Sequence, residues 1–364
     1  MKLCQSFAFR YLTRCTLMPG LYHSPSTPKY KLTTAILFLD IYKMKHKILE
    51  LYSGIGGMHC AWKDSGLEGD IVAAIDINTV ANEVYRENFP DTYLITKNIQ
   101  SLTVSEINKL EVDTILMSPP CQPFTRNGKY LDDSDPRTNS FLYIISILKE
   151  LVNIENILME NVKGFECSTV RKLFIDKLKE CNFDYQEFLL CPSQIGVPNS
   201  RLRYYCLARR KSSKWHYKRK EEIISEPPFE STSLFPLRDI LEKTVLEVYY
   251  LNDKVLKWGK VLDICYKDSK RSCCFTKAYS HYVDGTGSVF TEMSPEFVKN
   301  CYSEANKFDI GSDEYIAKLK ELKLRFFTPK EVLAIMMFPK DYVIPDGTTM
   351  KQSYRLIGNS VNVK

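Results

Sequence analysis

Three short segments carry side chains suited to chemistry on an electron-poor ring. Ser118-Pro119-Pro120-Cys121 sets a thiol on a stiff Pro-Pro turn just past the apolar run Thr114–Met117. A free cysteine is only a few per cent thiolate at neutral pH, so a catalytic one must be activated by its surroundings. Of the five histidines only His59 and His281 are candidate bases, which gives little support to a protease-type Cys–His pair. Glu160-Asn161-Val162 ends a second apolar run, Asn156–Met159. A carboxylic acid held partly protonated by burial can donate to a ring nitrogen. Arg201 and Arg203 alternate at the start of a third run, which puts two guanidinium groups on one face. Taken singly, each has a plainer reading: a buried structural cysteine, a helix-capping Glu-Asn turn, a solvated arginine pair. Taken together they suit addition of a thiolate to a pyrimidine. Carbon 5 of cytosine becomes nucleophilic only after a thiolate adds at carbon 6 and N3 is protonated or hydrogen-bonded. The resulting enamine can attack a methyl sulfonium.

A second group of residues suggests the methyl source. Ser53-Gly54-Ile55-Gly56-Gly57 follows the apolar run Ile48–Tyr52 and precedes a helical stretch from Met58 to Ser65. Backbone amides and a positive helix end can face a ligand there. Asp76 closes the next apolar run, Ile71–Ile75, where a carboxylate can bind ribose hydroxyls. The glycines lack the GxGxxG spacing that wraps a pyrophosphate, which points to a nucleoside cofactor without one and away from a nicotinamide dehydrogenase. A tight turn followed by a helix-capping acid explains the same residues equally well.

The elements that must position these groups form a regular series. Apolar runs at 48–52, 71–75, 114–117, 156–159, 185–190 and 204–208 alternate with helical stretches at 58–65, 79–88, 140–151 and 168–181. That rhythm predicts an α/β fold, a mostly parallel sheet with helices on both faces. Residues 122–139 are polar and read as a mobile loop. After Ala208 the rhythm stops. Arg209–Lys220 holds seven bases with Trp215 and Tyr217 between them, suited either to following a nucleic-acid backbone or to a solvated linker. The expected division is a catalytic domain of residues 44–208 and 326–364, with a smaller domain over 209–325. Helix-like Pro329–Met337 and the segment Ser353–Val361 return to the first domain.

Composition sets the outer limits. The 364 residues are 44% hydrophobic and 26% charged, the balance of a globular chain and not of a disordered or fibrous one. The longest apolar run, Thr34–Ile41, is too short to span a membrane and contains Asp40. The formal net charge is +6, but residues 1–43 hold six bases and one acid, so bulk charge gives the body little argument for a nucleic-acid partner. That tail reads as an upstream extension, a disordered arm or a mitochondrial presequence. The twelve cysteines are scattered without a CxxC pair, which favours a reducing compartment over a disulfide scaffold or a zinc site.

The ordered set Ser53–Gly57, Asp76, Ser118–Gln122, Glu160–Val162, Arg201-Leu202-Arg203 and Gly358-Asn359-Ser360-Val361 resembles the cytosine-5 methyltransferases over Lys45 to Val363. Cys274-Phe275-Thr276, and the near absence of extra domains, are similar to the branch that methylates cytosine-38 of tRNA-Asp. The resemblance implies a Rossmann-like S-adenosylmethionine-dependent methyltransferase fold with a small target-recognition domain. Cys121 is then the nucleophile, Glu160 contacts N3 and the exocyclic amine, and Arg201 and Arg203 hold the base and its phosphate. Ile55, Gly56 and Gly57 line the S-adenosylmethionine site, Asp76 takes the ribose, and Ile99 and Gln100 bracket the adenine. Ser118 lies under the cofactor, Asn359 and Ser360 complete its pocket, and Cys274, Phe275 and Thr276 select the substrate. No metal is implied.

The expected partner is tRNA, with DNA as a weaker one, no membrane, and a monomeric enzyme in the cytoplasm and nucleus. In the family the chain continues past the Asn-Ser motif as a helix against the sheet, whereas here it stops at Lys364. The resemblance therefore implies a looser cofactor pocket in this chain. DNA methylation and non-catalytic RNA binding stand as the alternatives.

Overall fold

The computed structural model describes residues 45–120, 138–210, 215, 218–228, 232–282 and 284–364. Cys121, Gln122 and the rest of the expected loop up to residue 137, Tyr217 in the basic stretch, and the first 44 residues lie outside them.

Seven strands form the main sheet: β1 (His46–Leu51), β2 (Gly69–Asp76), β3 (Tyr93–Thr96), β4 (Thr114–Met117), β5 (Asn156–Val162), β6 (Phe183–Leu190) and β7 (Arg203–Arg210). Their order is β3-β2-β1-β4-β5-β7-β6. Every neighbouring pair is parallel except those made by β7, which runs against both β5 and β6. The sheet is thus mostly parallel, as the alternating pattern requires. Chain order reverses between β1 and β4, and ligands of open α/β sheets bind at the carboxyl ends of strands at such a switch.

β4 is buried at every position, and β5 at all but its last, Val162. Side-chain alternation splits the core into two layers. Ile48 joins the cluster under helices α1 (Gly57–Ser65) and α2 (Thr79–Asn88), with Trp62 and Tyr85. Leu49 and Leu51 join the opposite cluster, under α3 (Val104–Lys109), α4 (Asn139–Ile147) and α5 (Thr169–Glu180). Helix starts are capped locally: Asn78 accepts from Ala81 N and Ser168 from Arg171 N.

β3 and α3 are absent from the sequence reading. β3 is a four-residue edge strand without full burial, and α3 is too short to show a period. β5 runs on through Val162, so Glu160 lies within the strand instead of beyond its end.

After β7 come α6 (Asp253–Leu256), β8 (Ile264–Cys265), β9 (Val289–Phe290), α7 (Pro295–Ala305), α8 (Asp313–Lys320) and β10 (Arg325–Phe326). The three short strands form a separate sheet in the order β10-β9-β8. A small core of Leu256, Val298, Tyr315 and Leu319 supports it. The expected boundary between residues 325 and 326 falls inside β10. The chain then returns through α9 (Pro329–Ile335) and α10 (Met350–Asn359), each opened by a Thr-x-x-Glu/Gln capping box. Tyr354 and Ile357 of α10 share one cluster with Phe275, Tyr279 and Phe327, so this segment packs continuously against the first sheet's α1–α2 layer.

Candidate active site

Three strand ends of the sheet open into one cavity of about 340 Å³. Its walls are the β1 end (Glu50, Ser53, Gly54, Ile55), Asp76 at the end of β2, Ser118-Pro119-Pro120 after β4, Glu160 in β5, and Asn359 with Ser360 from α10. Arg201 and Arg203 reach it from the start of β7. Cys121 lies outside the described residues, but its neighbour Pro120 lines the cavity.

The Gly54–Gly57 turn is built by close approach. Gly54 and Gly56 take left-handed φ values of 51° and 79°. A Cβ on Gly56 would sit 2.4 Å from the Phe89 ring, and one on Gly57 2.5 Å from Ser360 Oγ. The resemblance implied that Gly56 lines the cofactor site, but it faces Phe89 and Tyr85 and is not among the residues lining the cavity; it shapes the turn from behind. Gly57 lines the cavity where the turn meets Ser360. Tyr52, just before the turn, also has positive φ (57°), strain of the kind found where a scaffold holds a functional loop.

Asp76 Oδ2 accepts from Gly54 N at 2.8 Å and Oδ1 from Asn78 N at 2.8 Å, so the carboxylate ties the β1 turn to the start of α2. Burial pushes its carboxyl above the ordinary range, against the pull of these amides. Each oxygen keeps a second lone pair for a ligand hydroxyl. Ser53 Oγ is buried with no protein partner and borders the same space. An orphaned hydroxyl, an acid with spare lone pairs and a glycine turn fit a nucleoside cofactor such as S-adenosylmethionine. The expected adenine bracket is not built from side chains here. Ile99 is buried in the opposite core layer, Gln100 is exposed, and neither lines the cavity, because the short 3-10 turn they form packs against α4 instead.

Glu160 is 7% exposed, and its Oε1 lies 3.2 Å from Arg203 Nε. Burial pushes its carboxyl up, while Arg203 and then Arg201 pull it down; burial prevails and the group stays above its ordinary range. Asn161 Nδ2 donates to Pro119 O at 3.5 Å, holding the Pro-Pro turn beside this strand.

Arg201 differs from its expected role. It is 3% exposed, and its guanidinium donates to Phe275 O at 3.0 Å, Gly358 O at 3.2 Å, Cys274 Sγ at 3.4 Å and also to Ser360 O. Only Nε is left without a partner. It edges the cavity, but most of its donors knit the protein. Arg203 donates to Leu202 O and Cys274 Sγ as well as pairing Glu160.

Cys274 therefore sits between both arginines and not at a remote recognition surface. Burial pushes its thiol up, but Arg201 and Arg203 outweigh this and hold it below the ordinary thiol value. Phe275 is core, edge-on to Tyr279 and Phe327 at 4.9 and 5.6 Å. Thr276 is pressed against α10: a Cβ on Gly358 would come within 2.3 Å of the Thr276 carbonyl carbon.

In the basic stretch, Arg210 donates to Ile154 O and Cys181 O and stacks on Phe183, while Arg219 pairs with Asp184. These two serve the fold; Lys218 and Lys220 are exposed. Sequence reasoning missed Glu50, Lys277 and Arg355 among the lining residues. Glu50 had a signal, an acid between leucines in an apolar run; Lys277 and Arg355 had none.

Comparison with known proteins adds to this geometry. The profile of the family described as C-5 cytosine-specific DNA methylase matches residues 46–364. A Spodoptera frugiperda protein named tRNA (cytosine(38)-C(5))-methyltransferase is 68% identical over 321 residues, covering 88% of this chain and 97% of that protein. A Mus musculus protein of the same name is 42% identical over 377 aligned residues, covering 87% of this chain and 90% of that one. A crystal structure of a Spodoptera frugiperda DNMT2 triple mutant superposes with a TM-score of 0.83 at 66% identity, covering 88% of this chain and 96% of that one.

Proposed function

The chain belongs to the C-5 cytosine-specific DNA methylase family, and on that premise we propose that it methylates carbon 5 of cytosine-38 in the anticodon loop of tRNA-Asp. The relatives' names support tRNA as the substrate class. The observation that carries the chemistry is Glu160, buried on Arg203 in the cavity that Pro119 and Pro120, the residues before Cys121, also line.

S-adenosylmethionine supplies an electrophilic methyl group on sulfur. Gly57, Asp76, Ser118, Asn359 and Ser360, which line the cavity, would hold it, and the Asp76 carboxylate would accept from its ribose hydroxyls. Cys121 thiolate forms a bond to carbon 6 of cytosine, and the ring's electrons move towards N3. Glu160, whose carboxyl burial pushes up against the pull of Arg203 and Arg201, gives N3 its proton. Arg203 fixes the Glu160 carboxyl and neutralises it once the proton has left. Carbon 5 would then take the methyl group as its bond to sulfur breaks and a neutral thioether is left; solvent removes the carbon-5 proton, Cys121 leaves as thiolate, and N3 returns its proton to Glu160, which restores the ring. Flipping a base costs a few kcal/mol in a duplex and less in a loop, which favours an anticodon-loop cytosine. Residues 209–325 are assigned to substrate selection.

The test is transfer of labelled methyl to total tRNA, to tRNA-Asp transcript and to duplex DNA, by the wild type and by Cys121→Ala. Incorporation into tRNA-Asp that is lost in Cys121→Ala and on changing cytosine-38 is the expected result. Faster labelling of DNA overturns the substrate, and labelling by Cys121→Ala overturns the adduct.

A further inference from the structure

Glu50 has no part in that chemistry, yet it is costly to keep. It stands mid-strand in β1, 1% exposed, paired with Ala74 on one side and Leu116 on the other, and it lines the cavity. Its Oε2 accepts from Tyr85 Oη at 2.8 Å, and Tyr85 Oη in turn lies 2.8 Å from His59 Nδ1. Burial pushes His59 down to about 3. The ring is therefore neutral, stacked on Phe89 at 3.7 Å, and the donors that reach Glu50 carry no charge.

The titratable groups facing Glu50 are Tyr85 on α2, His59 and Cys60 on α1, Asp76 on β2, and Tyr342 after α9. None of these is a cation at neutral pH. Burial pushes Glu50 up to about 8; hydrogen bonds from the Tyr85 hydroxyl and the His59 backbone amide oppose this, and Asp76 adds to it. Asp76, on the same cavity, is raised by burial too. The cavity is polarised: Arg201 and Arg203 act on Glu160 and Cys274, Arg355 and Lys277 line it from α10 and the segment packed on α10, and the glycine-turn wall carries two acids. Such a wall favours a ligand bearing positive charge.

We propose that Glu50 reads the charge of the cofactor: it keeps a proton while the cavity holds no cation and releases it to solvent when a sulfonium donor enters, so that the donor is bound in preference to its neutral-sulfur product. This rests on the proposed use of S-adenosylmethionine. A cation within a few ångströms lowers a carboxyl pKa by about 1–3 units. Starting from about 8, donor binding at pH 8 then releases about 0.4–0.5 proton from Glu50 and gains at least about fivefold in affinity.

The experiment is calorimetric titration of the protein with S-adenosylmethionine and with S-adenosylhomocysteine. It is run at pH 8 in two buffers of different ionisation heat, on wild type and Glu50→Gln. The cofactor's own amine contributes equally to both proteins, so the difference reports Glu50. Expected is a wild-type excess of about 0.4–0.5 released proton for the donor and close to none for the product. Donor affinity should fall at least about fivefold in Glu50→Gln, with product affinity unchanged. Equal proton counts in the two proteins, or equal effects on both ligands, overturn the inference. Failure of either ligand to bind wild type overturns the cofactor reading instead, and the inference with it. Should Glu50→Gln not fold, Tyr85→Phe keeps the carboxyl and removes the bond that favours its charge. Its donor affinity should drop at pH 7 and recover by pH 9, and a loss independent of pH overturns the proposal.

Discussion

Arg201 offers the sharpest test of how the site is assembled. Arg201→Met keeps the length and apolar stem but removes every donor of the guanidinium. Three carbonyls, those of Phe275, Gly358 and Ser360, then lose a partner in a buried setting. Leaving a buried acceptor unsatisfied costs about 1–3 kcal/mol. Gly358 O and Ser360 O close α10, where partial rescue by local rearrangement is available, so the expected loss is about 3–5 kcal/mol instead of the full sum. Cys274 also loses the larger of its two stabilising charges, and its thiol rises towards the neutral form. Against a total stability of about 5–15 kcal/mol this is a severe change. Thermal unfolding of the ligand-free protein should shift down by about 5–10 °C. Arg201→Lys, which keeps the charge but reaches fewer carbonyls, should fall in between. Because Ser360 and Gly358 border the cofactor cavity, S-adenosylhomocysteine affinity should weaken in both variants without any tRNA present. Unfolding of Arg201→Met within 1 °C of wild type, with cofactor affinity unchanged and only tRNA methylation lost, would refute this reasoning and restore Arg201 to a direct substrate contact.

Four further outcomes follow from particular contacts. Glu160→Gln should lower methyl transfer by about 10²–10⁴-fold with little effect on cofactor binding. Burial keeps the Glu160 proton on above the ordinary carboxylate range, so wild-type single-turnover rates should fall as pH rises through that raised value, a limb missing in Glu160→Gln. Gly358→Ala places a Cβ 2.3 Å from the Thr276 carbonyl carbon and 2.4 Å from Lys277 N, both backbone, and should destabilise by about 1–3 kcal/mol or more by chemical denaturation. Gly57→Ala meets the Ser360 and Val361 side chains instead, at 2.5 and 2.8 Å, so it should destabilise less than Gly358→Ala while losing cofactor affinity. Glu331→Gln breaks a bidentate pair with Arg325, the two side chains 0% and 6% exposed, and should cost about 3–5 kcal/mol in the same assay.

The sheet was legible because burial on both faces leaves near-continuous apolar runs, and β4 spans Thr114–Met117 as that run does. The glycine turn, Asp76 and Glu160 were legible because strand ends at a sheet edge carry polar residues for few other reasons. β3 and α3 were not, being too short for a period to emerge. The roles of Cys274, Phe275 and Thr276 were hidden for a different reason. Their positions depend on a contact 82 residues away in sequence (358 − 276), where Gly358 lets α10 lie on the Thr276 backbone. A long-range approach through a missing side chain leaves no local pattern to read.

That contact also explains why a motif of the second region and the last helix meet at the same arginine. Arg201 belongs to the segment leading into β7, Phe275 to the loop between β8 and β9, and Ser360 to the end of α10, yet the one guanidinium bonds both of the others. Ser360 in turn packs on Gly57 of the cofactor turn, while Cys274 and Arg203 pass the link on to Glu160. The cofactor wall and the acid expected to meet the target base therefore share a rigid support. A rigid shared support fixes the distance between methyl donor and acceptor, and that distance controls an in-line transfer more steeply than the affinity of either ligand. Substitutions at Arg201 should accordingly lower the single-turnover rate even when both ligands are saturating.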